Sequence, residues 1–565
     1  MRNLVAAAVV VVALAAVGWR SLAGGGEASG TVSHHAVEPP SGAQNSTASG
    51  LPQGHVYAGI VEEPDDINPF TAAGAVAKRF VLAFTHDALL DLDPATGELR
   101  PALARAFRLD DDGMGCTFEL REGVTFADGT PLTMADVLFG YELHRAGKLP
   151  MGAMADAFAR VASAEATDAG HLHVRFTDAH YAAVRVVGEN WLVASKQHFV
   201  AAVASRAGRS LDPASAEFAA QLAAIKDDCG PGSGPYRFAA ENWQRRTQLQ
   251  LVRNDRSWRR AAQPGTWNLD GVRLLFRSGP AGLAAMLQRE VDWQMVADPD
   301  AELQARPELQ EHWRVLAYDH PGLGVFRAVF QCRRGPCADV AVRRAVARLF
   351  DREALAKRFA GMGGIAEAFA KPGSPAYPKH VAEPFDLAAA RAALRDLGFD
   401  PAAGRPLRLT LVAPQGSPVI DAALAGFQQA ARDAGIELTV RQLDFRGYVA
   451  ERARGEWDLE LALQSFRPWG DPYDFVHSQG ADNAGGFADP ECDRLAAAAR
   501  TTQDRGQREA LWRQLHERVA EQKAAVFLLH PLARLLLNRD LQGAEPGPLG
   551  LSPERMWVEK GRQRR

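Results

Sequence analysis

Residues 118–143 read FELREGVTFADGTPLTMADVLFGYEL, and the order of patterns within them decides the fold class. Phe118-Glu119-Leu120 alternates apolar and polar side chains as a strand does. Arg121-Glu122-Gly123 is a turn, Val124-Thr125-Phe126 a second short strand, and Asp128-Gly129 a tight-turn dipeptide. Pro131-Leu132-Thr133 leads into a helix, with Thr133 at the N-cap and Asp136 three residues on, close to a capping box. Strand, turn and helix follow one another within one short stretch, which is the local grammar of an α/β chain.

The same alternation runs outward in both directions. His171-Leu172-His173-Val174-Arg175-Phe176 is a strand whose two histidines share a face, read as an exposed polar face and not as metal ligands. Thr247–Val252 and Val272–Phe276 alternate likewise. A distinct block opens with the alternating Gly324–Gln331. It carries amphipathic helices near Ala338–Phe350, Leu387–Leu397 and Pro418–Ala434, and strands at Leu407–Val412, Glu437–Val440 and Leu459–Leu463. Strands and helices at this spacing predict α/β lobes with partly parallel sheets. A chain of 565 residues exceeds one average domain, so two or three lobes are expected. Hydrophobic content of 47% and charged content of 23% are ordinary for a globular protein. A net charge of −4 and the lack of a long Lys/Arg run give no reason to expect nucleic acid. The pairs Arg245-Arg246, Arg333-Arg334 and Arg343-Arg344 are read as surface or ion-paired.

The wording of residues 118–143 closely resembles the "DGVKFHDGTPLTADDVVFSYE" segment of the peptide- and nickel-type solute-binding proteins of bacterial ABC importers (solute-binding family 5). Glu63-Pro64-Asp65-Asp66-Ile67-Asn68-Pro69 resembles that family's opening strand exit, and Gly232-Ser233-Gly234-Pro235-Tyr236 its "GTGPY" turn. Asn254-Asp255-Arg256-Ser257-Trp258 with Leu269-Asp270-Gly271-Val272 resembles "NPDYW…LDGV". Asp339–Val346 resembles "DVRVRQAL", and Asp351-Arg352-Glu353 its "DRE". The matches keep family order from about Val56 to about Pro531. The resemblance implies a periplasmic-binding-protein-like α/β fold, two large lobes around a cleft plus a third, smaller subdomain. Lobe I would comprise 55–90, 230–320 and 526–560, with the chain re-entering it near Ala525–Leu537. The subdomain would be 91–229 and lobe II 321–525.

The N-terminus reads as a targeting segment. Arg2 precedes an apolar run of fourteen residues, Leu4–Val17, short for a spanning helix and suited to a signal peptide. Residues 1–23 are therefore a signal peptide or an uncleaved anchor, and 24–54 a Gly/Ser/Pro-rich disordered linker. His34-His35 within it is a solvated spacer, and Asn45-Ser46-Thr47 a sequon without meaning in a bacterium. Family members often carry a lipid-modified cysteine after the apolar run. The first cysteine here is Cys116, so the expected product is periplasmic or extracytoplasmic and not a lipoprotein. Five cysteines leave at least one unpaired in a monomer. Cys332 and Cys337 flank the turn Arg333-Arg334-Gly335-Pro336, and in an exported protein they are expected to form a small-loop disulfide.

No GxxxxGK[ST] loop, HExxH or GxSxG motif occurs, so no catalytic residue, cofactor or metal site is assigned. Gly230-Pro231-Gly232-Ser233-Gly234 imitates a phosphate loop, but its flanking prolines remove amide donors. Specificity is expected in Ser465–Ser478, SFRPWGDPYDFVHS, which leaves the carboxyl end of a strand where α/β proteins place ligands. Trp469 and Tyr473 would supply aromatic faces, Asp471 or Asp474 a partner for a cationic group, and Arg467 one for a carboxylate. The bland alternative is that these rings plug an interface. Peptide receptors of the family often show "GW..D..DP" here, with an amine-binding Asp; matched on Asp471-Pro472 that Asp falls on Pro468, and matched on Trp469 Asp471 lies within one position of it. The loop is closer to the nickel branch's "RTWGAPYDP". That branch's first arginine region is here Gly188-Glu189-Asn190-Trp191-Leu192, which has no arginine and leaves Trp191 as a candidate. The resemblance implies a monomeric receptor that captures a short peptide or similar small solute and delivers it to an ABC permease backed by its ATPase subunits. A metal chelate such as a nickel-like complex, a non-transport solute sensor and an exported enzyme on the same fold stay open as alternatives.

Overall fold

The computed structural model describes residues 54–93, 96–277, 279–296, 299–319, 323–379, 383–465, 471–544, 546 and 551–564. The N-terminal apolar run, the linker up to Gln53, and Arg467 and Trp469 lie outside them. The described chain divides into two units, one of residues 54–318 with 534–564 and one of Asp319–Ala533.

The first unit holds an eight-stranded sheet. Its centre is Val56–Ile60, buried along its whole length and paired in parallel with Gly271–Leu275 on one side and Trp293–Gln294 on the other. A strand covered on both faces needs a continuous apolar run, and VYAGI supplies one. A separate four-stranded antiparallel sheet runs in the order Ala104–Leu109, Gly115–Leu120, His171–Phe176, Val161–Ala166. Residues 118–143 lie here. The expected strand at Val124–Phe126 is reduced to a single bridge between Thr125 and Pro131, because the Asp128-Gly129 turn closes it at once, with Gly129 at φ +93°. The helix Met134–Arg145 forms as its cap predicts. One Asp136 oxygen accepts from the Thr133 amide (2.9 Å) and hydroxyl (2.7 Å), and the other from the amide of Lys196 (2.9 Å), which opens the helix Lys196–Ala207. A cap of this kind stabilises by about 1 kcal/mol, and this carboxylate serves two helix starts.

Two of the segments matched by wording lock each other. Ser233 donates to Asp87 (2.9 Å), whose buried carboxylate also receives Arg259 Nε (2.8 Å) and Nε1 of the half-buried Trp258 (2.8 Å). Asn254 Nδ2 donates to the Gly234 carbonyl (2.9 Å) and Ser257 Oγ to that of Ser233 (3.1 Å). Gly232 and Gly234 press on the Thr85 backbone, where an added Cβ would fall 1.9 Å and 2.8 Å from its carbonyl oxygen. The turn is a structural knot.

The second unit is a six-stranded mixed sheet ordered Gly363–Ile365, Ala525–Pro531, Val325–Phe330, Leu459–Gln464, Arg408–Pro414, Glu437–Leu443. Alternation sets its two faces. Phe326, Ala328 and Phe330 join Leu459, Leu461, Leu409 and Leu411 in an apolar core under the helices Val340–Ala347, Leu387–Asp396 and Pro418–Asp433. Val325, Arg327 and Val329 point the other way, toward clusters that include Phe475, Cys492, Leu515 and Tyr448. Arg343 is not a surface residue as read from the sequence. It is buried, and its guanidinium gathers the carbonyls of Cys337 (2.9 Å), Ala338 (2.9 Å), Gln522 (2.7 Å) and Lys523 (3.1 Å). The latter two end the helix Arg505–Gln522, where the carbonyl-rich terminus favours a cation.

Two further expectations are corrected. Ala525–Pro531 does not belong to the first unit; it pairs antiparallel with Val325–Phe330 and Gly363–Ile365, and the chain leaves this unit only at Ala533. Its unbroken apolar run suits a central strand, and central strands of either sheet look alike in sequence. Cys332 and Cys337 are free thiols, as are Cys116, Cys229 and Cys492. Cys337 is buried in a short 3-10 turn, Pro336–Ala338, while the Cys332 thiol turns back 3.5 Å from the Phe330 carbonyl.

Candidate functional site

Leu459–Gln464 and Glu437–Leu443 run parallel to Arg408–Pro414, and Ala525–Pro531 points the same way, so four strands present their carboxyl ends at one end of the second unit's sheet. Such ends are where open α/β sheets receive ligands. Gly324 closes this corner at φ +72°, and any Cβ there would sit 1.6 Å from the Gln464 carbonyl oxygen. The chain then passes through Ser465 toward the predicted solute loop, which re-enters the described residues at Asp471.

Asp471 is almost completely buried. One oxygen accepts from the Tyr473 amide (3.0 Å) and so starts the short helix Tyr473–Val476; the other accepts from Arg500 Nε (2.6 Å). Arg500, on the helix Pro490–Thr501, also reaches Asp474 (3.3 Å) and lies 3.5 Å above the Tyr473 ring. His477 stacks on Tyr473 with ring centroids 4.1 Å apart. Phe475 and Val476 face inward and join the core with Phe369 and Phe527. The structure therefore brings Asp471, Tyr473 and Asp474 together, but around an internal arginine: both carboxylates expected to meet a cationic solute already hold one. Arg467 and Trp469 belong to the same loop outside the described residues.

Trp191 is elsewhere and in a different role. It is fully buried in the first unit, its indole N–H donating to the Val137 carbonyl (2.8 Å), its ring edge-on to Phe158 (4.8 Å) and tilted on Tyr141 (5.9 Å). A satisfied indole in an aromatic cluster is a core residue, which corrects the expectation that Trp191 meets the solute.

At the strand-end corner lie groups that sequence reading passed over. Arg327 crosses the sheet face to donate from Nη2 to Gln464 Oε1 (2.7 Å), and its guanidinium lies 5.3 Å and 5.4 Å from the Phe369 and Phe475 ring centroids. Burial pulls its pKa down to about 10. His530 sits between the carbonyls of Gly324 and Ala370, both at 3.3 Å, and burial lowers it to about 4. Toward the other end of the same strand, Glu460, also buried, accepts from Arg452 Nε (2.8 Å) and from the Tyr448 hydroxyl. The available signal was a charge inside an apolar strand: VFRAVF and LELALQ each carry one.

The family model described as "Bacterial extracellular solute-binding proteins, family 5 Middle" matches residues 98–487, and the chain belongs to that family. Protein XP55 of Streptomyces lividans is 27% identical over 515 residues, covering 84% of this chain and 83% of its own. Di/tripeptide-binding protein 2 of Pseudomonas aeruginosa is 26% identical over 493 residues, 82% of this chain and 87% of its own. The structure of the oligopeptide-binding protein AppA from Bacillus subtilis with a nonapeptide superposes with a TM-score of 0.66 over 90% of this chain and 100% of that one, at 19% identity. At that identity the likeness is one of fold.

Proposed function

We propose that this protein is the extracytoplasmic receptor of an ABC importer for short peptides, acting as a monomer without catalysis and handing its solute to a membrane permease. The observation that carries the reading is the relative whose name assigns it di- and tripeptides, matched across 82% of this chain. The strand-end corner supports it. The buried Arg327 and His530 with the half-buried Gln464 suit a solute with a charged end. Capture is reversible, and the binding free energy selects the conformation that the permease recognises.

Native mass spectrometry of the purified full-length protein tests this. Peptides of two to several residues released on activation are the expected result. A carried-over metal chelate, or no retained solute together with no binding of a peptide pool, would overturn it.

A further inference from the structure

The charges in the second unit do not cancel evenly. Asp471 and Asp474 are held by Arg500, and Asp489 by Arg518 (2.7 Å). Glu460 is held by Arg452 and Tyr448. Arg327 differs from all of these. Its residue is 4% exposed, its only hydrogen bond goes to the neutral amide of Gln464, and its buried Nε has no partner among the described residues. Glu460 acts on it electrostatically without a bond. A buried guanidinium normally takes a carboxylate in a two-pronged bond, and leaving donors unmet in a low-dielectric setting is costly. Cation–π contact with Phe369 and Phe475 offsets part of that cost and leaves the donors unmet.

The direction of the side chain matters as much as its charge. Arg327 lies opposite Ala462 in the strand pairing, yet its head group bonds Gln464, the next residue on the same face toward the carboxyl end. The guanidinium thus leans to the strand end where ligands enter. Gln464 is only half-buried there, its Oε1 taken by Arg327 and its Nε2 by the Ser465 carbonyl (3.0 Å).

We propose that Arg327, oriented by Gln464, is the anchor for the solute's carboxylate, so that this end of the sheet reads an anionic group and not an amine. The assignment rests on the peptide-receptor reading and names which end of the peptide meets the second unit. Arg500 keeps the loop's acids from repelling the carboxylate.

The test compares wild-type full-length protein, Arg327→Met and Arg327→Lys, freed of carried-over solute. Each is titrated by calorimetry with a pool of di- to pentapeptides and with the same pool as C-terminal amides. Wild type should prefer the free acids by at least about tenfold, as a charge-assisted pair requires. Arg327→Met should lose that preference while its melting temperature holds or rises, since a buried unpaired charge has been replaced by an apolar chain; Arg327→Lys should keep part of it. Equal binding of acids and amides by wild type overturns the proposal even if Arg327→Met fails to fold. So does an undiminished preference in Arg327→Met. If wild type binds neither pool, the peptide reading fails separately. The anchor is then read with succinate alone: it stands if succinate raises the melting temperature of wild type but not of Arg327→Met, and falls if the two respond alike.

Discussion

Two charged groups of residues lie on one face of the same sheet and behave oppositely. The loop at Asp471–His477 carries the charges that are conspicuous in sequence, and the fold closes them on Arg500. The corner at Arg327 carries a charge hidden inside an apolar strand, and the fold leaves it short of a partner. The difference teaches that a charged residue marks a binding site only when the protein has not already satisfied it. An acid on a loop is accessible to every arginine nearby, whereas a cation inside a sheet meets only what its neighbours and a solute bring.

The largest effect should come from Glu460, a buried acid on the strand that carries Gln464. Glu460→Leu removes the carboxylate shared by Arg452 and Tyr448 and leaves Arg452 with the Asp482 carbonyl (3.2 Å) in place of an acid. A loss of about 3–5 kcal/mol in denaturant unfolding is expected. A loss under about 1 kcal/mol would mean that Glu460 is not committed to Arg452, and the contrast with Arg327 would weaken.

Acid should act next, through His530 at the corner and His516 behind the loop, both lowered to about 4 by burial. The unfolded chain binds these protons near pH 6.5 and the folded one only near 4, so their stability is complete above about 6.5 and lost as pH falls toward 4. Each contributes about 3 kcal/mol of that decline. Melting curves from pH 7 to 4 should flatten in His530→Gln and in His516→Gln; an unchanged slope in both would remove the buried-histidine account.

A smaller effect is expected from Arg500→Ala, about 1–3 kcal/mol of stability. Its value lies in binding. With the Arg500 bonds to Asp471 and Asp474 removed, affinity for solutes lacking a carboxylate but bearing an amine should rise, and that for anionic ones should fall. Unaltered selectivity would show that the loop's charges are remote from the solute.

Much of the fold was legible before the structure. The capping pair Thr133 and Asp136 forms where the spacing put it, and His171–Phe176, Leu387–Asp396 and Pro418–Asp433 fall within a residue or so of their periodic signals. Those are local patterns, written by backbone geometry. The site was far less legible because its contacts are not local: Asp471 meets Arg500 and Arg327 meets Gln464 across distant positions in the chain. Trp191 was misread for a related reason, since an indole satisfied by the Val137 carbonyl and one awaiting a solute look the same in sequence. The strand Ala525–Pro531 was assigned to the wrong unit because apolarity reports burial and not the partner.

The central claim, capture of short peptides, is tested most directly by the melting temperature of solute-free protein against peptide concentration. A ligand that binds only the folded state stabilises by RT ln(1 + [L]/Kd), about 4 kcal/mol at a thousandfold excess over Kd. A pool of free-acid di- and tripeptides should raise the melting temperature in proportion to the logarithm of its concentration. A melting temperature that stays fixed up to millimolar peptide, while a metal chelate raises it, would contradict the account.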